Sequence, residues 1–276
     1  MTSSDEMLKR TSFLYHEKIK KSSAPLSTYF SITHFSYVKI TNSSRISILS
    51  NRPEWLEHYL GEKFYLVQPH FRRHPNTYQT GITLPGQIPD REYRSAMEIA
   101  QNDFLIHPGL VITQKRSDGV ELFGFDLKCS TPILNELLIN ELPLLRKFTE
   151  KFREENIFLF NLLDDYQFDL QDIMGKDFRF DTENAAMTLP NRNLCLREMG
   201  FGLDKSATLS TREIEVLQFL LQGASASIIA EELNLSKRTI EHYVERLKNK
   251  LVCYSKMELI AKAREIEQLG YLCNIS

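Results

Sequence analysis

The first 160 or so residues mix strand-like and helix-like spacings of apolar positions, whereas those after residue 206 show helical spacing alone. His34 to Ile40 (HFSYVKI) is rich in strand formers and reaches a second short run, Arg45 to Leu49, across the turn-like Thr41-Asn42-Ser43-Ser44. Arg52-Pro53-Glu54 predicts a helix start, after which Trp55 and Tyr59 share one face at i, i+4. Glu92 to Asn102 predicts a helix with Tyr93, Ala96, Met97 and Ala100 on its inner stripe. Gly109 to Gln114 and Val120 to Asp126 predict a hairpin through Ser117-Asp118-Gly119. Leu134 to Leu163 is leucine-rich and helical, with a break expected at Pro143. Adjacent hairpins among helices predict an α+β domain, an antiparallel sheet in an α/β/α sandwich.

Periodicity weakens from Asp164 to Lys205, where Gly175, Pro190, Gly200 and Gly202 accumulate. Four short helices are predicted after Ser206. Ser210 and Glu213 form an S-x-x-E capping box, followed by the stripe Ile214, Leu217, Leu221 and a terminating Gly223. Ser225 to Leu233 makes a second helix, and Asn234-Leu235-Ser236 connects it to a third, on which Ile240, Val244, Leu247 and Leu251 repeat. Ser255 and Glu258 box a last helix through Ile266. Two short helices joined by so tight a turn predict a helix-turn-helix within an all-α, four-helix domain. The expected division is therefore a domain over 1–165, an extension and linker over 166–206, and a DNA-binding domain over 207–276.

Composition narrows the class without naming it. A chain of 276 residues suits two domains, and 42% hydrophobic with 25% charged residues is ordinary for a globular protein. No apolar run is long enough to span a bilayer, and MTSSDEMLKR has no apolar signal segment, so a cytoplasmic protein without a membrane partner is expected. Cys129, Cys195, Cys253 and Cys273 stand far apart with no CxxC pair, which fits a reducing compartment. The net charge of −2 carries no global hint of nucleic acid. On the third C-terminal helix, however, Lys237, Arg238, Arg246, Lys248 and Lys250 outnumber Glu241 and Glu245, a face that can neutralise phosphates. From charge alone a solvated structural helix explains that face equally well, because the segment after Ser206 holds nine basic and nine acidic residues.

The run Leu209-Ser210-Thr211-Arg212-Glu213-Ile214-Glu215-Val216-Leu217 resembles the opening of LuxR-type DNA-binding domains. Gly223-Ala224-Ser225, Ile229-Ala230, Leu233, Ser236, Thr239-Ile240 and Lys250-Leu251 continue the pattern in register. The resemblance implies a homodimer on double-stranded DNA, with RNA polymerase among the partners of such a regulator. It also implies a DNA-binding set of Lys237, Arg238, Thr239, Glu241, His242, Tyr243, Glu245, Arg246 and Lys250. Glu241 and Glu245 depart from the basic residues common at base-reading positions; a carboxylate can still accept from cytosine N4. Val252 replaces a frequent glycine after the Lys-Leu pair.

Asn51 to Pro69 (NRPEWLEHYLGEKFYLVQP) resembles the autoinducer-binding domain of quorum-sensing receptors in its tryptophan, its tyrosine four residues on, and its proline at Pro69. That resemblance implies a small-molecule autoinducer bound by Trp55, Tyr59, Gln68 and Gly109. Gln68 stands where the family carries an aspartate, Asn51 replaces an aromatic, and a second tryptophan is absent because Trp55 is the single one. An uncharged amide accepts the weaker hydrogen bond. These departures keep open a domain that has no ligand and serves dimerisation or protein contact. Trp55 and Tyr59 at helical spacing also suit an ordinary core.

Other classes find less support. His58, His70 and His74 are the only candidates for a metal, and Arg72, Arg73 and Pro75 beside them disfavour a cation site. HFSYVKI ends without the acidic residues of a phosphorylated receiver. No P-loop, GxSxG or HExxH motif is present, so neither catalysis nor a cofactor is expected.

Overall fold

The computed structural model describes residues 4–87, 90–175, 178–179, 195, 198 and 209–268. It divides into two compact units, residues 1–184 and 185–276. Most of the 166–206 segment expected as extension and linker, and the chain after residue 268, lie outside the described residues.

The first unit is built on strands β1 (Ile32–Thr41), β2 (Arg45–Ser50), β3 (Gly81–Thr83), β4 (His107–Arg116), β5 (Gly119–Leu127) and β6 (Phe168–Asp169). They form one six-stranded sheet in the order β3-β4-β5-β1-β2-β6. Every pairing is antiparallel, with Tyr37 opposite both Leu49 and Phe123. Gly119 closes the β4–β5 hairpin under Ile40, whose carbonyl oxygen would lie 2.2 Å from any Cβ placed there.

Strand alternation sends side chains into two separate cores. Phe35, Tyr37, Leu49, Phe123, Phe125 and Leu127 meet Leu26, Leu138, Leu145, Phe152 and Leu159 on one face. Ile40, Ile46, Ile48, Val120 and Leu122 meet Met7, Trp55, Tyr59 and Phe71 on the other. Helices α1 (Ser4–Leu8), α2 (His16–Phe30), α3 (Pro53–Gly61), the short α4 (Pro69–Arg72) and α5 (Arg91–Phe104) precede β4. After β5 come α6 (Pro132–Asn140), α7 (Leu142–Glu155), α8 (Ile157–Asp165) and α9 (Leu170–Met174). The α+β sandwich with an antiparallel sheet is therefore the observed fold.

Local chemistry explains where these elements begin and end. Pro53 occupies the first turn of α3, where its missing N–H costs nothing. Asp90 caps α5 by accepting from the Tyr93 N–H at 2.7 Å. The expected break at Pro143 appears as the α6–α7 junction. A second break follows at the fully buried Asn156, whose side chain donates back to the Phe152 carbonyl at 2.8 Å, a local alternative to continuing the helix. No element is expected before Phe30, yet α2 forms with Pro25 inside it. Its buried Ile19, Leu26 and Phe30 are too sparse to reveal it.

The second unit contains α10 (Thr211–Leu221), α11 (Ala226–Glu232), α12 (Lys237–Leu251) and α13 (Lys256–Gln268). Ile214, Leu217, Leu220, Ile229, Ile240, Leu247, Leu251 and Leu259 make its core. The Ser210–Glu213 capping box closes reciprocally, and Ser225 and Ser236 cap α11 and α12. Among the described residues no helix is long and apolar enough to cross a membrane.

Candidate ligand cavity and nucleic-acid interface

A cavity of about 120 Å³ lies on the second face of the sheet, between β1, β2, β4, β5 and helices α3 and α5. Its apolar wall includes Val38, Ile48, Trp55, Phe71, Met97 and Leu122. Trp55 is clamped by Phe104, Tyr59, Phe64 and His58, with ring centroids 5.0, 5.8, 6.0 and 6.1 Å away. Gly124 keeps the floor open, because a Cβ there would lie 2.5 Å from Ser36 Oγ.

The polar lining falls into two sets that differ in satisfaction. His34, Ser50 and Asp126 form a closed chain: His34 Nδ1 contacts Asp126 Oδ2 at 2.7 Å and His34 Nε2 contacts Ser50 Oγ at 3.0 Å. Asp126 Oδ1 also accepts from the Gly109 N–H, and Ser50 Oγ from the Arg52 N–H. In the second set, Tyr59 Oη, Gln68 Oε1 and His70 Nε2 are buried and make no hydrogen bond among the described residues. Gln68 nevertheless lies close enough to Tyr59 for its amide to favour the phenolate, although burial dominates and pushes the Tyr59 hydroxyl far above its ordinary value. Pro69 holds Gln68 in the extended region, φ −77° and ψ 112°, as the residue before a proline must be.

Burial, helped by Arg73, lowers the His70 imidazole to about 4, so it is neutral at physiological pH. Tyr78 donates its hydroxyl hydrogen to the His70 carbonyl at 2.8 Å, and its oxygen faces His70 Nδ1 at 3.4 Å. That arrangement assigns the hydrogen to Nδ1 and leaves Nε2 as a bare acceptor.

Of the residues expected to touch a ligand, Trp55, Tyr59 and Gln68 line this one cavity. Gly109 does not line it, while its neighbour Pro108 does. Gly109 serves the opposite face, where a Cβ would meet the Phe125 carbonyl oxygen at 2.2 Å and Leu138 Cδ1 at 3.0 Å. Asn51 stands away from the cavity and ties strands to α2, accepting from the Phe35 N–H at 2.8 Å and donating to Ser23 Oγ at 3.3 Å. Sequence reasoning missed His34, Asp126, His70 and Tyr93. The first two meet only through strand pairing, a link between residues 92 positions apart. The three histidines weighed for a metal are separately engaged: His58 in ring contacts, His70 with Tyr78, and His74 as acceptor for the Asn76 N–H. Among the described residues no metal-ligating cluster forms.

On α12, Ile240, Leu247 and Leu251 face the core, so Lys237, Arg238, Glu241, His242, Glu245 and Arg246 are exposed, and Thr239, Tyr243 and Lys250 half-buried. Glu245 does not stand as a bare charge, because Lys248 Nζ pairs with it at 2.9 Å. Arg246 lies over the Tyr243 ring, 5.8 Å from its centroid. Lys250 reaches the buried Glu213 at 2.8 Å, and Arg246 approaches the same carboxylate at 3.4 Å. Burial alone would raise the Glu213 carboxyl, but hydrogen bonds from Lys250 and Ser210 outweigh it and hold the group below its usual range. Lys250 therefore has a scaffolding duty besides any contact with phosphate.

Residues 207–263 match the family model described as bacterial regulatory proteins, luxR family. The virulence transcription regulator BvgA of Bordetella pertussis is 39% identical over 79 residues, covering 27% of this chain and 38% of BvgA. TdiR of Thauera aromatica, a transcriptional regulatory protein, is 36% identical over 95 residues, covering 32% of this chain and 41% of TdiR. The chain thus spans about two-fifths of the length of these relatives. Over 93% of this chain and 92% of the other, the crystal structure of Escherichia coli SdiA superposes with a TM-score of 0.39 at 16% identity. The Vibrio cholerae VqmA–ligand–DNA complex, at 17% identity over 91% and 92% of the two chains, superposes with a TM-score of 0.25. At such scores no residue-by-residue correspondence follows. The capped four-helix arrangement and the family match together make residues 207–263 a helix-turn-helix domain of the luxR family of bacterial regulatory proteins.

Proposed function

We propose that this chain is a transcription regulator whose DNA binding is governed by a small molecule enclosed in the first unit. The observation that carries the DNA half is the exposed outer face of α12 within a matched luxR-family span. In this reading Arg238, Glu241 and His242 meet base edges from the start and middle of α12, and Lys237, Thr239, Tyr243 and Arg246 contact phosphates. Glu245, paired with Lys248, tunes the charge of that face. The protein acts in the cytoplasm as a homodimer on two half-sites about one helical turn apart, and meets RNA polymerase there. The ligand half is supported by the cavity, whose buried polar atoms await a partner. An occupant that stabilises one arrangement of the first unit shifts the DNA-binding population by its differential affinity.

Selection of binding sites from random duplex DNA with the full chain tests this reading. The expected product is a two-fold symmetric site. Arg246→Ala should weaken binding to every sequence alike and reduce the slope of log K against log salt by about 1. Glu241→Ala should instead change base preference. No enrichment over the starting pool, with a folded protein, would overturn the DNA reading.

A further inference from the structure

The cavity is more selective than its apolar wall suggests. The one carboxylate in its lining, Asp126, is already engaged by His34 at 2.7 Å and by the Gly109 N–H at 3.3 Å, and no Lys or Arg lines the cavity, so an anionic ligand would find no cationic Lys or Arg partner. What remains open is a set of neutral polar atoms. Gln68 Oε1 and His70 Nε2 are both acceptors, two residues apart in sequence, and both line the same space. Tyr59 Oη is buried with no hydrogen-bond partner among the described residues, which leaves its hydrogen to donate. By the measure in which one water needs roughly 10–15 Å³, a cavity of about 120 Å³ holds on the order of ten water-sized groups.

Building on the reading of this cavity as a ligand site, we propose that it selects a compact neutral molecule carrying two adjacent O–H or N–H donors and one acceptor. The donors bond Gln68 Oε1 and His70 Nε2, the acceptor takes the Tyr59 hydroxyl hydrogen, and the apolar remainder lies against Trp55, Met97 and Leu122. An acyl-homoserine lactone offers a single amide N–H and leaves one acceptor orphaned. A buried acceptor without a partner is costly, so this difference discriminates more sharply than any change in apolar size.

The test is thermal melting of the full chain, followed by the fluorescence of its single tryptophan, Trp55, which sits in the cavity wall. Two-donor probes are catechol, imidazolidin-2-one and 3-methoxypropane-1,2-diol; the one-donor probe is N-butanoyl-homoserine lactone; a solvent extract of the host culture is the third arm. At least one two-donor probe should raise the melting temperature by several degrees, with the shift lost in both Gln68→Met and His70→Phe and no shift from the lactone. Without any probe, Gln68→Met and Tyr59→Phe should melt roughly 2–4 °C above the parent, since each removes an unpaired buried polar atom. A shift from the lactone or the extract, with none from the two-donor probes, overturns the ligand class and leaves the sensory reading standing. No shift in any arm, with ligand-free variants melting at or below the parent, overturns both.

Discussion

Glu213 in the luxR-family unit and His70 in the first unit are both almost wholly buried, and they are treated in opposite ways. Glu213 sits between Lys250 and Arg246 and its Oε2 accepts from the Ser210 N–H, so its charge is paired even though its Oε1 makes no hydrogen bond among the described residues. His70 is made neutral by burial, and its Nε2 points at nothing among the described residues. The contrast is not simply one of domain. On the far face of the first unit's own sheet, Glu121 is engaged at both oxygens, held by Tyr37 and Arg116 at 2.8 Å each and by Arg153. Of the buried side-chain atoms without a hydrogen bond among the described residues, Ser47 Oγ, His58 Nε2 and Glu213 Oε1 stand apart from the cavity, while three, Tyr59 Oη, Gln68 Oε1 and His70 Nε2, are gathered on residues that line it. Such groups cost stability in the empty protein and return it when a partner arrives, which is what a ligand-dependent fold requires.

The sharpest way to break this contrast is acid. His70 stays neutral in the folded chain down to about 4, while in the unfolded chain it takes its proton near 6.5. Between those values the unfolded state binds more protons, so stability falls as pH falls through that window. At about 1.36 kcal/mol per unit the loss by pH 4 is on the order of 3 kcal/mol. Denaturant unfolding followed at Trp55 should show that loss in the parent and a shallower pH dependence in His70→Phe. Equal dependence in the two proteins would mean that His70 is not held neutral, and the contrast with Glu213 would fail.

Next in size is the paired side of the comparison. Glu213→Gln keeps the volume and much of the capping box but leaves Lys250 and Arg246 without their carboxylate. Because both cations are partly exposed, the cost should be about 1–2 kcal/mol rather than that of a fully buried broken pair. A double-mutant cycle with Lys250→Met isolates the coupling. Absence of coupling would make Glu213 a cap alone, and would return Lys250 to the phosphate role that its charge suggests.

The two units also differ in how far their sequences announce them. The luxR-family unit is local: its caps Ser210, Ser225 and Ser236 and its stripe Ile240, Leu247, Leu251 act within a few residues of one another, so spacing alone reveals them. Strands β1, β2, β4 and β5 were readable for the same reason. The cavity was readable only in part. Trp55 and Tyr59 share one turn of α3, and Gln68 precedes a proline, which are short-range signals. His34, Ser50 and Asp126 are assembled by the pairing of β1 with β2 and β5, a register that no local pattern encodes. The spacing of His70 and His74 suggests a metal, because nothing in a sequence says that burial will strip the His70 charge. Gly109 was expected at the ligand and serves instead a close approach to the Phe125 main chain.

The smallest effect concerns a turn in the luxR-family unit where a β-branched residue takes a backbone conformation that favours glycine. Helix α12 ends in a glycine-type turn, with Cys253 N–H donating to the Lys248 carbonyl at 2.8 Å, and the residue that must turn is Val252, at φ 53° and ψ 53°. A β-branched side chain in the left-handed region costs roughly 1–2 kcal/mol, part of which glycine would give back as unfolded-state entropy. Val252 is exposed, so its side chain contributes little burial to lose. Val252→Gly should therefore stabilise the second unit by about 1 kcal/mol, read as a later transition in far-UV circular dichroism, with DNA affinity unchanged. A gain would show that the left-handed turn at Val252 costs stability that its exposed side chain does not offset. A loss of stability, or of DNA affinity, would mean that Val252 is covered in the functional assembly, and the strain at this turn would then belong with the cavity atoms as something a partner repays.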